Sequence, residues 1–211
     1  MIDAYVWTTP NGFKALIALE EFGVPYTLHW IDLMHGMQTT PEYLAINPNN
    51  KIPAIVDRDG PGGKPITVFE SGAVLTYLAE KTGKLLAPSG VARYAALQWM
   101  FFNVGGVGPM LGQLGYYTKF APEADRSPVV IARFSKEADR LFRVLDNHLA
   151  DHQYLAGELS IADIMNFTWP RAARTFLGLD LSGYPHLTRW LDELEQRPAF
   201  AKGLSMTANA I

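Results

Sequence analysis

Hydrophobic and polar positions change their period part-way along this chain. Ile2–Trp7 is a short run rich in β-formers, and it ends in Thr8-Thr9-Pro10-Asn11-Gly12, a cluster of turn formers and helix caps. Phe13, Leu16, Ile17, Leu19 and Phe22 then fall at helical spacing, and Gly23 supplies a stop. Tyr26–Leu33 alternates apolar and polar positions as a strand does, which completes a strand–helix–strand unit, normally parallel and right-handed. Ile52–Asp57 predicts a further strand, Asp59-Gly60-Pro61-Gly62-Gly63 a turn, and Pro65–Phe69 the returning strand of an antiparallel hairpin. Ser71 is placed to cap a helix with the apolar stripe Val74, Tyr77 and Leu78, ending at Gly83.

From Val91 the period is helical throughout. Tyr94–Phe102 is aromatic-rich, and Gly105-Gly106-Val107-Gly108-Pro109 should kink or interrupt the helix that carries it. Ile131, Phe134, Ala138, Leu141, Phe142, Leu145 and Leu149 mark an amphipathic helix beginning near Ser127. Ser160-Ile161-Ala162-Asp163 reads as a capping box, with Leu159 and Ile164 spaced as a hydrophobic staple, and Pro185–Glu195 as the last helix. The order β-α-β, an irregular helical link, then β-β-α is that of a thioredoxin-like sheet. The expectation is an α/β thioredoxin-like domain over residues 1–83, a linker over 84–90 containing Pro88 and Gly90, and an all-α helical bundle over 91–211.

Composition narrows the function classes. The 211 residues are 48% hydrophobic and 18% charged, which excludes a disordered chain. A net charge of −3 gives no reason to expect a nucleic-acid partner. The chain contains no cysteine, so disulfides, thiolate metal sites and a protein-borne cysteine nucleophile are impossible, in keeping with a reducing compartment. An acid at Asp3 where a signal peptide needs positive charge, and no apolar run long enough to span a bilayer, make the cytoplasm the expected location and a membrane partner unexpected. His148 and His152 are four residues apart with no third ligand evident, so they read as a helix-end pair and no metal is expected.

Three segments carry a resemblance. Asn49-Asn50-Lys51-Ile52-Pro53-Ala54-Ile55, Glu70-Ser71-Gly72-Ala73 with its helix, and Leu155-Ala156-Gly157 followed by Ser160–Asp163 are similar, in this order, to segments of the cytosolic glutathione transferases. Thr9-Pro10-Asn11-Gly12 and Gly106–Gln113 resemble in particular the nu class of bacteria and its fungal relatives. The resemblance implies glutathione, reduced or as the disulfide, as co-substrate. It implies disulfide-bond reduction as the activity, with peroxide reduction as a side activity and weak conjugation, and a homodimer. Conjugation of electrophiles and a non-catalytic glutathione-binding module remain the alternatives.

Glutathione offers a thiol, two carboxylates and one ammonium. Glu70 can take the ammonium, and Ser71 at a helix start can take the neighbouring carboxylate, although the pair also reads as an ordinary cap beside a solvated acid. The resemblance implies a cis Ile52–Pro53 bond and pairing of the Ile52 backbone with the cysteinyl part of glutathione. Lys51 and Gln38 are candidates for the glycyl carboxylate, and Lys51 equally reads as a solvent-facing lysine. At the thiol end Trp7 stands where other classes have a tyrosine, and Tyr5 is expected to pack. The nu-class resemblance implies Thr9 and Asn11 as hydrogen-bond donors that favour thiolate, with Thr8 a rival donor and helix capping the other reading of Asn11. The nu-class resemblance gives Arg133 a second glutathione moiety, against a plain solvated arginine. Phe101, Phe102, Tyr116, Tyr117 and Trp169 could line an acceptor site, but most are expected in the core.

Overall fold

The computed structural model describes residues 1–208. The chain divides into two compact units, one of residues 1–88 with 196–211 and one of residues 89–195. The first unit holds β1 (Ile2–Val6), α1 (Pro10–Phe22), β2 (Tyr26–Trp30), the short α2 (Pro41–Leu44), β3 (Ala54–Asp57), β4 (Ile66–Phe69), α3 (Ser71–Thr82) and α9 (Pro198–Ser205). The second holds α4 (Gly90–Phe102), α5 (Gly108–Gly115), α6 (Pro128–Leu149), α7 (Ile161–Ala172) and α8 (Pro185–Glu195).

The sheet runs β2-β1-β3-β4, parallel between β1 and β2 and antiparallel at the other two pairings. This is the thioredoxin-like arrangement expected from the element order. Inward positions of β1 and β3 bury Ala4, Val6 and Ile55 beside Leu16 and Leu19 of α1 and Leu75 and Leu78 of α3. Asp57 on β3 is fully buried, yet it is satisfied by Tyr77 Oη at 2.6 Å, Lys81 Nζ at 2.8 Å and the Asp59 amide at 3.0 Å. Those bonds tie α3 to the sheet, and with it the residues at the helix start.

The last helix departs from expectation. Residues 198–205 were expected within the helical bundle, but α9 packs on α1 of the N-terminal unit. A Cβ at Gly203 would lie 2.9 Å from the backbone nitrogen of Ile17, so the two helices approach at a distance only glycine allows. Arg197 pairs with Glu21 at 2.9 Å and Lys202 with Glu20 at 2.9 Å.

In the second unit the glycine-rich stretch interrupts the helix as expected. Asn103–Val107 winds as a π-helical turn between α4 and α5. The capping box forms: Ser160 Oγ accepts from Ala162 N at 3.2 Å, while Asp163 reaches back to Ser160 N at 2.9 Å. The aromatic expectation is corrected, since none of the five residues lies in the buried core. Phe101 and Tyr116 are exposed, while Phe102, Tyr117 and Trp169 are half-buried. Helical spacing marks a stripe but not what covers it.

Candidate functional site

Strand register brings three separated segments together. Tyr5 at the end of β1 pairs with Ala54 at the start of β3, and Ala54 pairs with Phe69 at the end of β4. Residues 8–11, 51–53 and 70–71 therefore converge at one end of the sheet. The first turn of α1 is pressed against β1, because a Cβ at Gly12 would sit 1.9 Å from the Trp7 carbonyl oxygen. Thr9 is the N-cap of α1, with Oγ1 accepting from Gly12 N at 3.2 Å. Asn11 is inside the helix and not its cap, which removes one of its two sequence readings.

A cleft opens at this end, lined by Asn11, Asn47, Lys51, Ile52, Pro53, Glu70 and Ser71. It encloses about 410 Å³ counting its open mouth. The Ile52–Pro53 bond is cis. Ser71 opens α3 and is buried, so amide groups of the first turn and the helix dipole favour an anion there. The cap position belongs to Glu70, which adopts φ 71° and ψ 122° and caps with no side-chain bond, where Ser71 was expected. A non-glycine residue in that region is strained, and such strain clusters at ligand sites. Glu70 itself is exposed to the cleft mouth, with Oε1 accepting from Asn49 Nδ2 at 3.3 Å.

The loop before Pro53 is fixed from behind. Asn47, 1% exposed, donates from Nδ2 to the Lys51 carbonyl at 2.6 Å, and its Oδ1 accepts from Asn49 N at 2.9 Å. Tyr43 Oη also donates to the Lys51 carbonyl at 2.6 Å. Burial pushes the Tyr43 phenol up to about 12, so it stays a donor at neutral pH. Behind the opposite wall lies Lys14, only 1% exposed, whose Nζ donates to Asn11 Oδ1 at 3.0 Å. Burial pulls its pKa down to about 7, and the Glu70 charge pulls it back up.

Family models of the glutathione S-transferase N-terminal domain and C-terminal domain match residues 8–81 and 108–198 of this chain. The chain belongs to the glutathione S-transferase family. The disulfide-bond oxidoreductase YfcG of Escherichia coli (strain K12) is 46% identical over 206 residues, covering 97% of this chain and 94% of that protein. A glutathione transferase from Burkholderia graminis, solved with two glutathione molecules bound per subunit, is 42% identical with a TM-score of 0.95 over 98% of this chain and 88% of its own. Another from Pseudomonas putida, with one glutathione disulfide bound per subunit, is 43% identical with a TM-score of 0.91 over 97% of this chain and 91% of its own. The chain is thus a glutathione transferase-like enzyme, and the two solved relatives carry glutathione or its disulfide.

In this family member the cleft gathers Asn11, Lys51, Ile52, Pro53, Glu70 and Ser71 of the residues picked out from sequence. Thr9 is half-buried at the α1 cap, beside the cleft in sequence but not in its lining. Gln38 sits in the short 3₁₀ turn Met37–Thr39 and is not part of the lining either. Arg133 belongs to the second unit, exposed on α6. Trp7 packs edge-on to Trp30 at 6.4 Å between ring centres, and Tyr5 stacks on His29 at 4.6 Å, as a packing role requires. His148 and His152 do form a helix-end pair, their rings stacked 4.1 Å apart. Among the described residues no group of three His, Asp or Glu side chains could hold a metal ion, and no helix is long and apolar enough to cross a membrane.

Sequence reasoning missed Asn47 and Lys14. Asn47 acts on a loop carbonyl, for which no spacing rule exists. Lys14 stands between Phe13 and the apolar run Ala15–Leu19, and that interruption was the available signal.

Proposed function

We propose that this enzyme is a glutathione-dependent disulfide reductase of the nu type. The observation that carries the reading is the single cleft in which Glu70, Ser71, Lys51, Ile52 and Asn11 stand together. Their chemistry matches glutathione in order: Glu70 for the α-ammonium, Ser71 and the α3 start for the adjacent carboxylate, the Ile52 backbone for the cysteinyl unit, and Lys51 for the glycyl carboxylate. Gln38 serves as a second contact for that carboxylate. Asn11, with Thr9 at the helix cap, meets the sulfur.

With no cysteine in the chain, the attacking sulfur must come from the ligand. The bound thiolate attacks one sulfur of a disulfide, a new S–S bond forms, and the old one breaks. The departing sulfur leaves as a thiolate and takes a proton from water. A second glutathione thiolate then attacks the mixed disulfide, giving glutathione disulfide and the second reduced thiol. The protein orients the reactants and stabilises the thiolate without forming a bond of its own. Peroxide reduction as a side activity follows the same course: the thiolate attacks a hydroperoxide oxygen, the S–O bond forms as O–O breaks, the alkoxide takes a proton and leaves as the alcohol, and a second glutathione converts the sulfenic acid to glutathione disulfide and water.

Glutathione-dependent reduction of a small symmetrical disulfide, run beside conjugation of an aryl halide, tests the reading. Fast reduction with slow conjugation is expected. The reverse ratio makes the enzyme a conjugating, detoxifying transferase. Silence in both with glutathione bound makes it a binding module.

Two further proposals belong to the same reading. Arg133 contacts a second glutathione moiety, a role supported by the two glutathiones per subunit of the Burkholderia relative. The enzyme is a homodimer, supported by an apolar stripe along one face of α4. Val91, Tyr94 and Phe101 are 88%, 70% and 63% exposed at helical spacing, which puts three large apolar side chains on one face. Sedimentation velocity should give twice the chain mass, and a Tyr94→Glu, Phe101→Glu variant should give monomer with its melting temperature near the parent's.

A further inference from the structure

Lys14 is an expensive residue to place where it stands. An ammonium taken out of water costs several kcal/mol unless it is paired and hydrogen-bonded, and an apolar residue there would extend the buried stripe of Ala15, Leu16 and Ile17. Its side chain is instead directed at a cleft residue one helical turn back, with Nζ 3.0 Å from Asn11 Oδ1. A carboxamide has one acceptor end and one donor end, and an ammonium can only donate. Holding Oδ1 on Lys14 therefore leaves Nδ2 as the end that Asn11 presents elsewhere, and Asn11 lines the cleft.

We propose that Lys14 is a positioning residue for the thiolate: by fixing Oδ1 it turns the N–H end of Asn11 toward the glutathione sulfur, and its buried charge polarises that amide. The inference rests on the assignment of Asn11 to the sulfur. Glu70 at the start of α3 is the charged group that acts on Lys14 from the neighbouring element, and it favours the ammonium form. A thiolate at Asn11 adds a second negative charge on the same side. Binding of thiolate and protonation of Lys14 therefore reinforce each other.

The experiment is ultraviolet titration of thiolate absorbance for glutathione bound to the parent, to Lys14→Met and to Lys14→Gln. Methionine keeps the volume but neither donor nor charge. Glutamine keeps a neutral donor for Oδ1. The bound thiol pKa should rise by about one unit in Lys14→Met, a tenfold loss of thiolate at a given pH, and by less in Lys14→Gln. The acid limb of kcat/KM for disulfide reduction should move by the same amount. S-methylglutathione, which has no ionisable thiol, should bind all three proteins alike, whereas a merely structural role would weaken it as well. An unmoved thiol pKa in both variants, or equal weakening of glutathione and S-methylglutathione, overturns the proposal. Should Lys14→Met fail to fold, the Lys14→Gln shift decides alone. A parent that binds glutathione without reducing disulfides sinks the reductase reading and leaves the thiol titration to judge Lys14. A parent that does not bind glutathione sinks both.

Discussion

Removing Thr9 and Asn11 together, as Thr9→Ala, Asn11→Ala, is expected to lower disulfide turnover by about a hundredfold while changing glutathione affinity little. The magnitude follows from the loss of preorganised donors at a localised negative charge, typically worth about 10²–10³ in rate. Affinity is spared because Lys51, Ile52, Glu70 and Ser71, which meet the rest of the ligand in this reading, are untouched. The two residues should not contribute alike. Thr9 Oγ1 already accepts from Gly12 N, so Thr9→Ala loses a helix cap worth about 1 kcal/mol, and Thr9→Ser should restore it. Asn11→Ala strips Lys14 of the carboxamide oxygen that accepts its bond, and Asn11→Asp puts a carboxylate beside the thiolate, so Asn11→Asp should be the slowest single variant. Turnover at the parent's rate in the double variant would falsify the assignment and pass the role to Thr8, which Thr8→Ala then tests.

Sequence carried the fold because its signals were local and agreed with one another. Alternation over 26–33, the Asp59–Gly63 turn and the Gly83 stop each favour one conformation; the hairpin and α3 formed where they required, and β2 formed over Tyr26–Trp30, three residues shorter than the alternation. The cleft was legible for a different reason: Lys51–Pro53 and Glu70–Ser71 flank strands whose pairing forces them together. What escaped depended on contacts distant in the chain. The eight residues of α9 have no signal until Ile17 and Gly203 are seen in contact. The Glu70 cap was assigned to Ser71 because serine is the better capper by propensity, whereas the chain reaches α3 through a left-handed φ that no propensity predicts. Lys14 drew no attention because a lysine is rarely buried, and its bond to Asn11 becomes visible only in the folded chain.

Truncating Asp163 should be the most damaging single change to the second unit. Its carboxylate is fully buried and accepts four bonds: from Leu155 N at 3.0 Å, Ser160 N at 2.9 Å, Ser160 Oγ at 3.1 Å and Trp190 Nε1 at 3.1 Å. One side chain thus joins the α7 start, the turn before it and the core of α8. Asp163→Ala leaves those donors buried without their acceptor, and a loss of about 3–5 kcal/mol is expected, read by chemical denaturation. Asp163→Asn should fare little better, because an amide turns its own N–H groups toward donors. The pH dependence follows from burial, which outweighs the four bonds and raises the Asp163 carboxyl from 3.8 to about 6. Between those values the folded chain holds a proton that the unfolded chain has released, so this group's contribution to stability falls as pH rises. The gap between parent and Asp163→Ala should therefore be larger at pH 4 than at pH 7 (roughly the limits of that window). A gap that widens with pH would mean that the bonds, and not burial, set the titration of this carboxylate.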